Sequence, residues 1–179
     1  MRMEGIGVRV FLVAWITGLA ATGGAAEPPE LFVDEGACPF ECCRYGEWKA
    51  SRAISLVAAP NARDQVVAEV KPGEKVQALT GEVHTVPGKA RVQKDESTFR
   101  KGDEIWIYTY LGEGEFKVWH DGGFTLALFD SGFSHLEDGD WYTIERKPES
   151  TWWVRIQTPS GAVGFTDDPW SFGGKDGCS

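Results

Sequence analysis

The sequence predicts an all-β protein of short strands and tight turns, and three observations carry that expectation. No segment sustains a helical period of apolar residues. Short apolar or alternating runs are bounded instead by clusters of Gly, Pro, Asn and Asp. A turn pattern also occurs twice: Val70-Lys71-Pro72-Gly73-Glu74-Lys75-Val76 is echoed by Phe99-Arg100-Lys101-Gly102-Asp103-Glu104-Ile105. Each copy is an apolar residue, a basic turn ending in Gly, an acid and a strand. The echo fits a duplication, and it fits two hairpins that obey the same turn chemistry independently.

Taken in order, the chain opens with Arg2 and Arg9, an apolar run from Val10 to Ala20, and the small residues Ala21 to Ala26. That order is expected of a secretory signal peptide, residues 1–26, cleaved after Ala26. The apolar run is too short for a stable anchor. The mature chain is therefore expected to be secreted or periplasmic and not membrane-embedded. Residues 27–49 read as an irregular, cysteine-containing segment. Cys38, Cys42, Cys43 and Cys178 make an even count in an exported chain, which reads first as two disulfides. A bond between the neighbours Cys42 and Cys43 needs a strained ring. One of them is thus expected to pair with Cys38 and the other with Cys178. A zinc site is the alternative, but Cys38-Pro39-Phe40-Glu41-Cys42-Cys43 lacks a second knuckle of the usual spacing.

From Ala50 on, strands and turns alternate. Ile54–Val57 ends at Ala58-Ala59-Pro60-Asn61, and Gln65–Val70 leads through Lys71-Pro72-Gly73-Glu74 into Lys75–Thr80. His120-Asp121-Gly122-Gly123 is a strong hairpin signal between Phe116–Trp119 and Phe124–Phe129. Glu137-Asp138-Gly139-Asp140 introduces Trp141–Glu145. Lys147-Pro148-Glu149-Ser150 turns the chain into Trp152–Gln157, and Thr158-Pro159-Ser160-Gly161 turns it into Ala162–Thr166.

The end of this series resembles the bacterial SH3-like (Src-homology-3-like) family, which closes with a Trp strand, a Gly turn and a Gly followed by an aromatic. Here those are Trp153-Val154-Arg155-Ile156, Gly161 and Gly164-Phe165, with Phe165 where family members usually carry Trp. The opening is similar as well: Ile54-Ser55-Leu56, Pro60, Val66–Val70 and Gly73-Glu74-Lys75-Val76 follow the family's first strand, loop and turn. The resemblance covers roughly residues 50–80 and 151–167. It implies a small SH3-like barrel in residues 50–179 with a β insertion at about 81–150, as extra hairpins or as a second, interleaved barrel. It also implies a non-catalytic binding module, for peptide or cell-wall material.

Composition narrows the function. The chain carries Lys+Arg 18 against Asp+Glu 27, a formal net charge of −9. That balance argues against nucleic acid and anionic membranes as partners, because phosphate contacts need Lys and Arg. No catalytic set is expected. The cysteines are accounted for by disulfides, and His84, His120 and His135 lie in or beside turns without ligand spacing. His120, beside Asp121, reads as a solvated turn residue. Glu137-Asp138-Gly139-Asp140 and Asp167-Asp168 offer calcium-type oxygens but do not fit the twelve-residue loop pattern, so they read as solvated turns. Neither metal nor cofactor is expected.

The candidate ligand face is aromatic. In Ile105-Trp106-Ile107-Tyr108-Thr109-Tyr110-Leu111 alternation puts Trp106, Tyr108 and Tyr110 on one side of a strand. Trp119, Trp141, Tyr142 and Trp152 on neighbouring hairpins are positioned to extend the patch. Flat aromatics with polar tips suit sugar rings or peptide prolines. The competing expectation is that both faces are buried. The alternative function is a structural or inhibitory partner of another exported protein, acting through its acidic surface.

Overall fold

The computed structural model describes residues 26–130 and 136–178; residues 1–25 of the expected signal peptide and His135 lie outside the described residues. The described chain is all-β. Its strands are β1 (Phe32–Glu35), β2 (Gly46–Ala50), β3 (Ile54–Val57), β4 (Val66–Val70), β5 (Lys75–Val86), β6 (Gly88–Val92), β7 (Glu104–Gly112), β8 (Glu115–His120), β9 (Gly123–Leu128), β10 (Tyr142–Arg146), β11 (Glu149–Gln157), β12 (Val163–Thr166) and β13 (Phe172–Gly173). They form two antiparallel sheets. One is a curled, eight-stranded sheet in the order β13-β2-β5-β11-β12-β3-β4, with β1 paired to the far part of β5. The other is five-stranded, in the order β10-β6-β7-β8-β9, and lies wholly within residues 88–146.

Each sheet has its own core. In the first, Trp48, Ile54, Leu56, Val70, Val76, Trp152, Val154, Ile156 and Phe172 pack together. In the second, Val92, Phe99, Ile105, Ile107, Phe116, Val118, Phe129, Leu136, Trp141 and Tyr142 do so. Alternation along the strands explains the membership. On β11, Trp152, Val154 and Ile156 face inward, while the next residue, Trp153, is buried on the opposite side under the Arg63 guanidinium, 5.5 Å from its ring.

The repeated turn is built the same way twice. Lys71 N–H donates to Glu74 Oε2 and Arg100 N–H to Asp103 Oδ2, both at 2.8 Å. Gly73 N–H reaches the Ala50 carbonyl, as Gly102 N–H reaches that of Val92. In return Ala50 N–H donates to Glu74 O and Val92 N–H to Asp103 O. Both glycines sit at positive φ, 80° and 96°, which explains why Gly occupies each copy. The neighbours correspond too, since Ala50 pairs with Phe172 and Val92 with Tyr142. The unit β13-β2-β5 is thus repeated as β10-β6-β7. Gly164 is fixed by contact: a Cβ there would fall within 2.9 Å of Leu56 Cβ, Val57 O and Val67 Cγ2.

Four features depart from the sequence reading, the first being the C-terminal strand β13, which the reading did not contain. The N-terminal segment carries two strands, β1 and β2, where irregular chain was expected. β5 runs on from Thr80 to Val86, because β1 and β11 pair with this extension from either side. β6, absent from the reading, supplies the middle of β10-β6-β7.

β1 also straps the two sheets together. It is hydrogen-bonded to β5 of the first sheet, while Phe32 packs edge-on against Tyr108 and Phe124 of the second at 5.6 and 5.4 Å. Tyr108 is fully buried and donates its hydroxyl to Pro29 O at 2.7 Å. Burial pushes its phenol up to about 12. A phenol harder to ionise in the folded state contributes stability below pH 10, and that contribution is lost as pH rises toward 12. In a spectrophotometric titration Tyr108 is expected to ionise after the ordinary range near pH 10 has passed. Phe32→Ala opens its cover and is expected to bring it back toward 10.

Candidate functional site

Two β-bulges decide what becomes of the aromatic strand. Along β7 and β8, Trp106 pairs with Trp119 and Ile107 with Val118, but the next pair is Thr109 with Lys117, so Tyr108 is an extra residue. The parity of β7 inverts there. Tyr110 then pairs with Phe116, a core residue, with ring centroids 5.1 Å apart. Trp106 and Tyr108 share the outer face, with Tyr108 covered by Phe32. Tyr110, partly exposed, has turned to the other side. Trp152 lies in the first core, and Trp141 and Tyr142 lie in the second. Of the residues singled out in the sequence, Trp106 and Trp119 remain together on an accessible face.

What they join is a row that crosses the whole second sheet. The register sets Arg146 on β10 opposite Lys89 on β6, Lys89 opposite Trp106 on β7, Trp106 opposite Trp119 on β8, and Trp119 opposite Phe124 on β9. Lys89 Nζ and Arg146 Cζ stand over the Trp106 ring at 5.2 and 5.7 Å. Trp119 and Phe124 meet edge to face at 5.0 Å. Lys117, beside the row, stands over Phe32 and Phe124. Such cation–ring contacts contribute about 0.5–1 kcal/mol at exposed sites.

Charge is unevenly satisfied across this face. Arg91 pairs with Glu104 and Glu145 at 2.6 and 2.7 Å, and Lys89 reaches the same two carboxylates. Lys89 and Arg91 hold the Glu104 carboxyl below its ordinary range, and the two carboxylates raise Arg91. Arg146 and Lys117 have no ion-pair partner among the described residues. Arg146 donates instead to Pro87 O at 2.9 Å. It also borders an open groove of about 440 Å³ lined by Leu136, Ile144 and the acids Glu137, Asp138 and Glu145. The row and the adjoining Lys117 therefore combine flat rings with two cations, Arg146 and Lys117, that have no ion-pair partner among the described residues. Lys89 and Arg146 could not be found from the aromatic alternation that pointed to Trp106, since only cross-strand register places them there.

The remaining candidates are occupied structurally. Cys38 bonds Cys43, and Cys42 bonds Cys178. Two formed disulfides are compatible with an oxidising compartment. Cys42, Asp176 and Cys178 are close enough for a metal, but both sulfurs are in the bond. His120 is not a free turn residue: its Nε2 lies 2.7 Å from Asp103 Oδ2 and its ring meets Phe99 edge-on. The Arg100 N–H, followed by His120, lowers the Asp103 carboxyl below its usual value. His84 sits by Glu82 and Asn61. Asp167 and Asp168 pair with Arg63 and Arg52, and Asp138 accepts from the Ile144 N–H. Among the described residues no helix is long and apolar enough to cross a membrane.

Fold and site together define a two-sheet, two-core, disulfide-bonded β protein with an aromatic and cationic outer face. No family model, no curated protein and no solved structure matches the chain.

Proposed function

We propose that this is an exported, non-catalytic binding module of SH3-like type, and that its ligand is cell-wall glycan carrying carboxylates. The row Arg146–Lys89–Trp106–Trp119–Phe124 carries the reading. Sugar rings bury area against indole and phenyl faces, while Arg146 and Lys117 supply opposite charge for acidic groups on the glycan. The barrel reading draws on strand order. In β5-β11-β12-β3-β4 and in β10-β6-β7-β8-β9, strands consecutive within the set neighbour one another except for one pair, β4 and β5 in the first and β9 and β10 in the second, so each set has the strand order of a meander opened at one seam. Two cysteine bridges agree with an extracytoplasmic location.

The test is co-sedimentation of the protein with purified peptidoglycan sacculi. The parent is expected to sediment, and Trp106→Ala/Trp119→Ala is expected to bind about thirtyfold less, from two lost ring contacts of about 1 kcal/mol each. Arg146→Gln should weaken binding chiefly at low salt. A parent that stays in the supernatant overturns the reading.

A further inference from the structure

Strand β9 is an edge of the five-stranded sheet, and its pairing decides which of its groups are free. Asp121 and Gly122, at φ 47° and 78°, form a two-residue type I′ turn, so His120 and Gly123 are the closing hydrogen-bonded pair. Bonded and non-bonded pairs alternate from there. Thr125 and Ala127 therefore bond to β8, whereas the N–H and C=O of Phe124, Leu126 and Leu128 point away from it. The Phe129 N–H bond to Gly114 O, at 2.9 Å, continues that alternation. No hydrogen bond reaches the outward groups among the described residues. The same three residues hold large apolar side chains in water, with Phe124 44%, Leu126 50% and Leu128 66% exposed.

The other edge of the sheet is blocked at two of its outward groups. On β10 the outward Ile144 N–H is taken by Asp138 Oδ1 at 2.7 Å, and the Tyr142 carbonyl accepts from Gly139 N–H at 3.1 Å. A protein that blocks one edge and leaves the other apolar and unpaired has a place for an added strand. Charge then selects the occupant. Asp121 stands at one end of β9, and Glu113, Glu115 and Asp130 stand at the other, none in an ion pair among the described residues. Antiparallel pairing of β9 with a second copy through its outward groups, with Leu126 opposite Leu126 and Phe124 opposite Leu128, would bring Asp121 of each molecule to the end that carries Asp130 of the other, which is repulsive at both ends.

We propose that the β9 edge receives an extended segment of a partner protein, apolar at alternate positions and basic at both ends. Main-chain bonds to Phe124, Leu126 and Leu128 supply the affinity, and their side chains set the alternation. Phe124 belongs to both surfaces, but the main-chain edge of β9 does not depend on the glycan reading of the face that carries its ring.

The probe is a synthetic peptide of alternating Val and Thr with two Lys at each end, added to the purified protein and followed by backbone amide exchange. Slowed exchange is expected at Phe124, Leu126 and Leu128. Leu126→Pro removes the central outward donor and leaves the β8 ladder whole. It is expected to weaken binding about tenfold, as loss of a main-chain bond and its neighbours implies. Leu128→Lys, on an exposed side chain, gives a second test that needs no backbone change, and it should weaken binding by apolar loss and repulsion. A Glu-flanked peptide should bind least. Unchanged binding by both variants, or equal binding of the Glu-flanked peptide, overturns the proposal. Protection that appears without peptide and grows with protein concentration assigns the edge to a second copy and also overturns it. Trp106→Ala is expected to leave peptide binding intact, so failure here and failure on sacculi are distinguishable.

Discussion

Replacing Cys42 and Cys178 together with alanine is expected to lower the unfolding free energy by about 4–5 kcal/mol, the value the chain-entropy model gives for so long a loop. The bond spans a sequence separation of 136 residues and fastens the C-terminal segment to the start of the folded chain. Around it, Gly177 N–H donates to Cys42 O, Arg44 N–H to Lys175 O, and β13 pairs with β2. Cys38→Ala/Cys43→Ala opens a loop with a separation of only 5 and is expected to lose about 2 kcal/mol on the same model. Urea denaturation under non-reducing conditions measures both. A larger loss from the short loop than from the long one would show that local packing of Phe40 against Trp152 and Trp170 dominates, and not chain entropy.

Trp48→Ala is expected to lose about 3–5 kcal/mol, the range for deleting a large buried aromatic. Trp48 is wholly buried, meets Trp152 and Phe172 at 5.9 and 5.8 Å, and stacks on Tyr45 at 6.0 Å. Its indole N–H also satisfies the Arg44 carbonyl at 3.0 Å. Trp48→Phe keeps much of the apolar contact but leaves that carbonyl without its donor, so a smaller loss of about 1–3 kcal/mol is expected. Thermal unfolding followed by near-ultraviolet circular dichroism reports the indole cluster directly. Because the second core holds none of these residues, Trp141 offers an internal reference for whether the two cores melt together.

Turn chemistry made much of the strand series legible. The Asp121-Gly122 hairpin, the two Gly-acid turns and the Thr158–Gly161 turn each demand a local backbone that few residues supply. The missed strands share one physical property. β1, β2, β6 and β13 are short, and each is a strand only because a distant segment pairs with it, such as β13 with β2 or β1 with β5. Nothing within four or five residues encodes that partner. The aromatic face shows the same limit. Alternation placed Trp106 and Tyr108 on one side correctly, but the extra residue at Tyr108 carried Tyr110 to the other. Trp152 and Trp153 are adjacent and equally large, and only packing of both sides of β11 determines which one enters the core.

The sequence by itself determined the all-β class, the hairpin at Asp121-Gly122, and the pairing of one of the adjacent cysteines with Cys38 and the other with Cys178. These follow from side-chain alternation, from the φ angles that Gly and Asp tolerate, and from the geometry of a disulfide. Tertiary structure alone decided that Cys42 takes the long-range bond and that Phe32 covers Tyr108. It also decided that Arg146, Lys89, Trp106, Trp119 and Phe124 stand in one row. Register between strands far apart in the chain is set by the sum of many weak contacts, so no local stretch of sequence contains it.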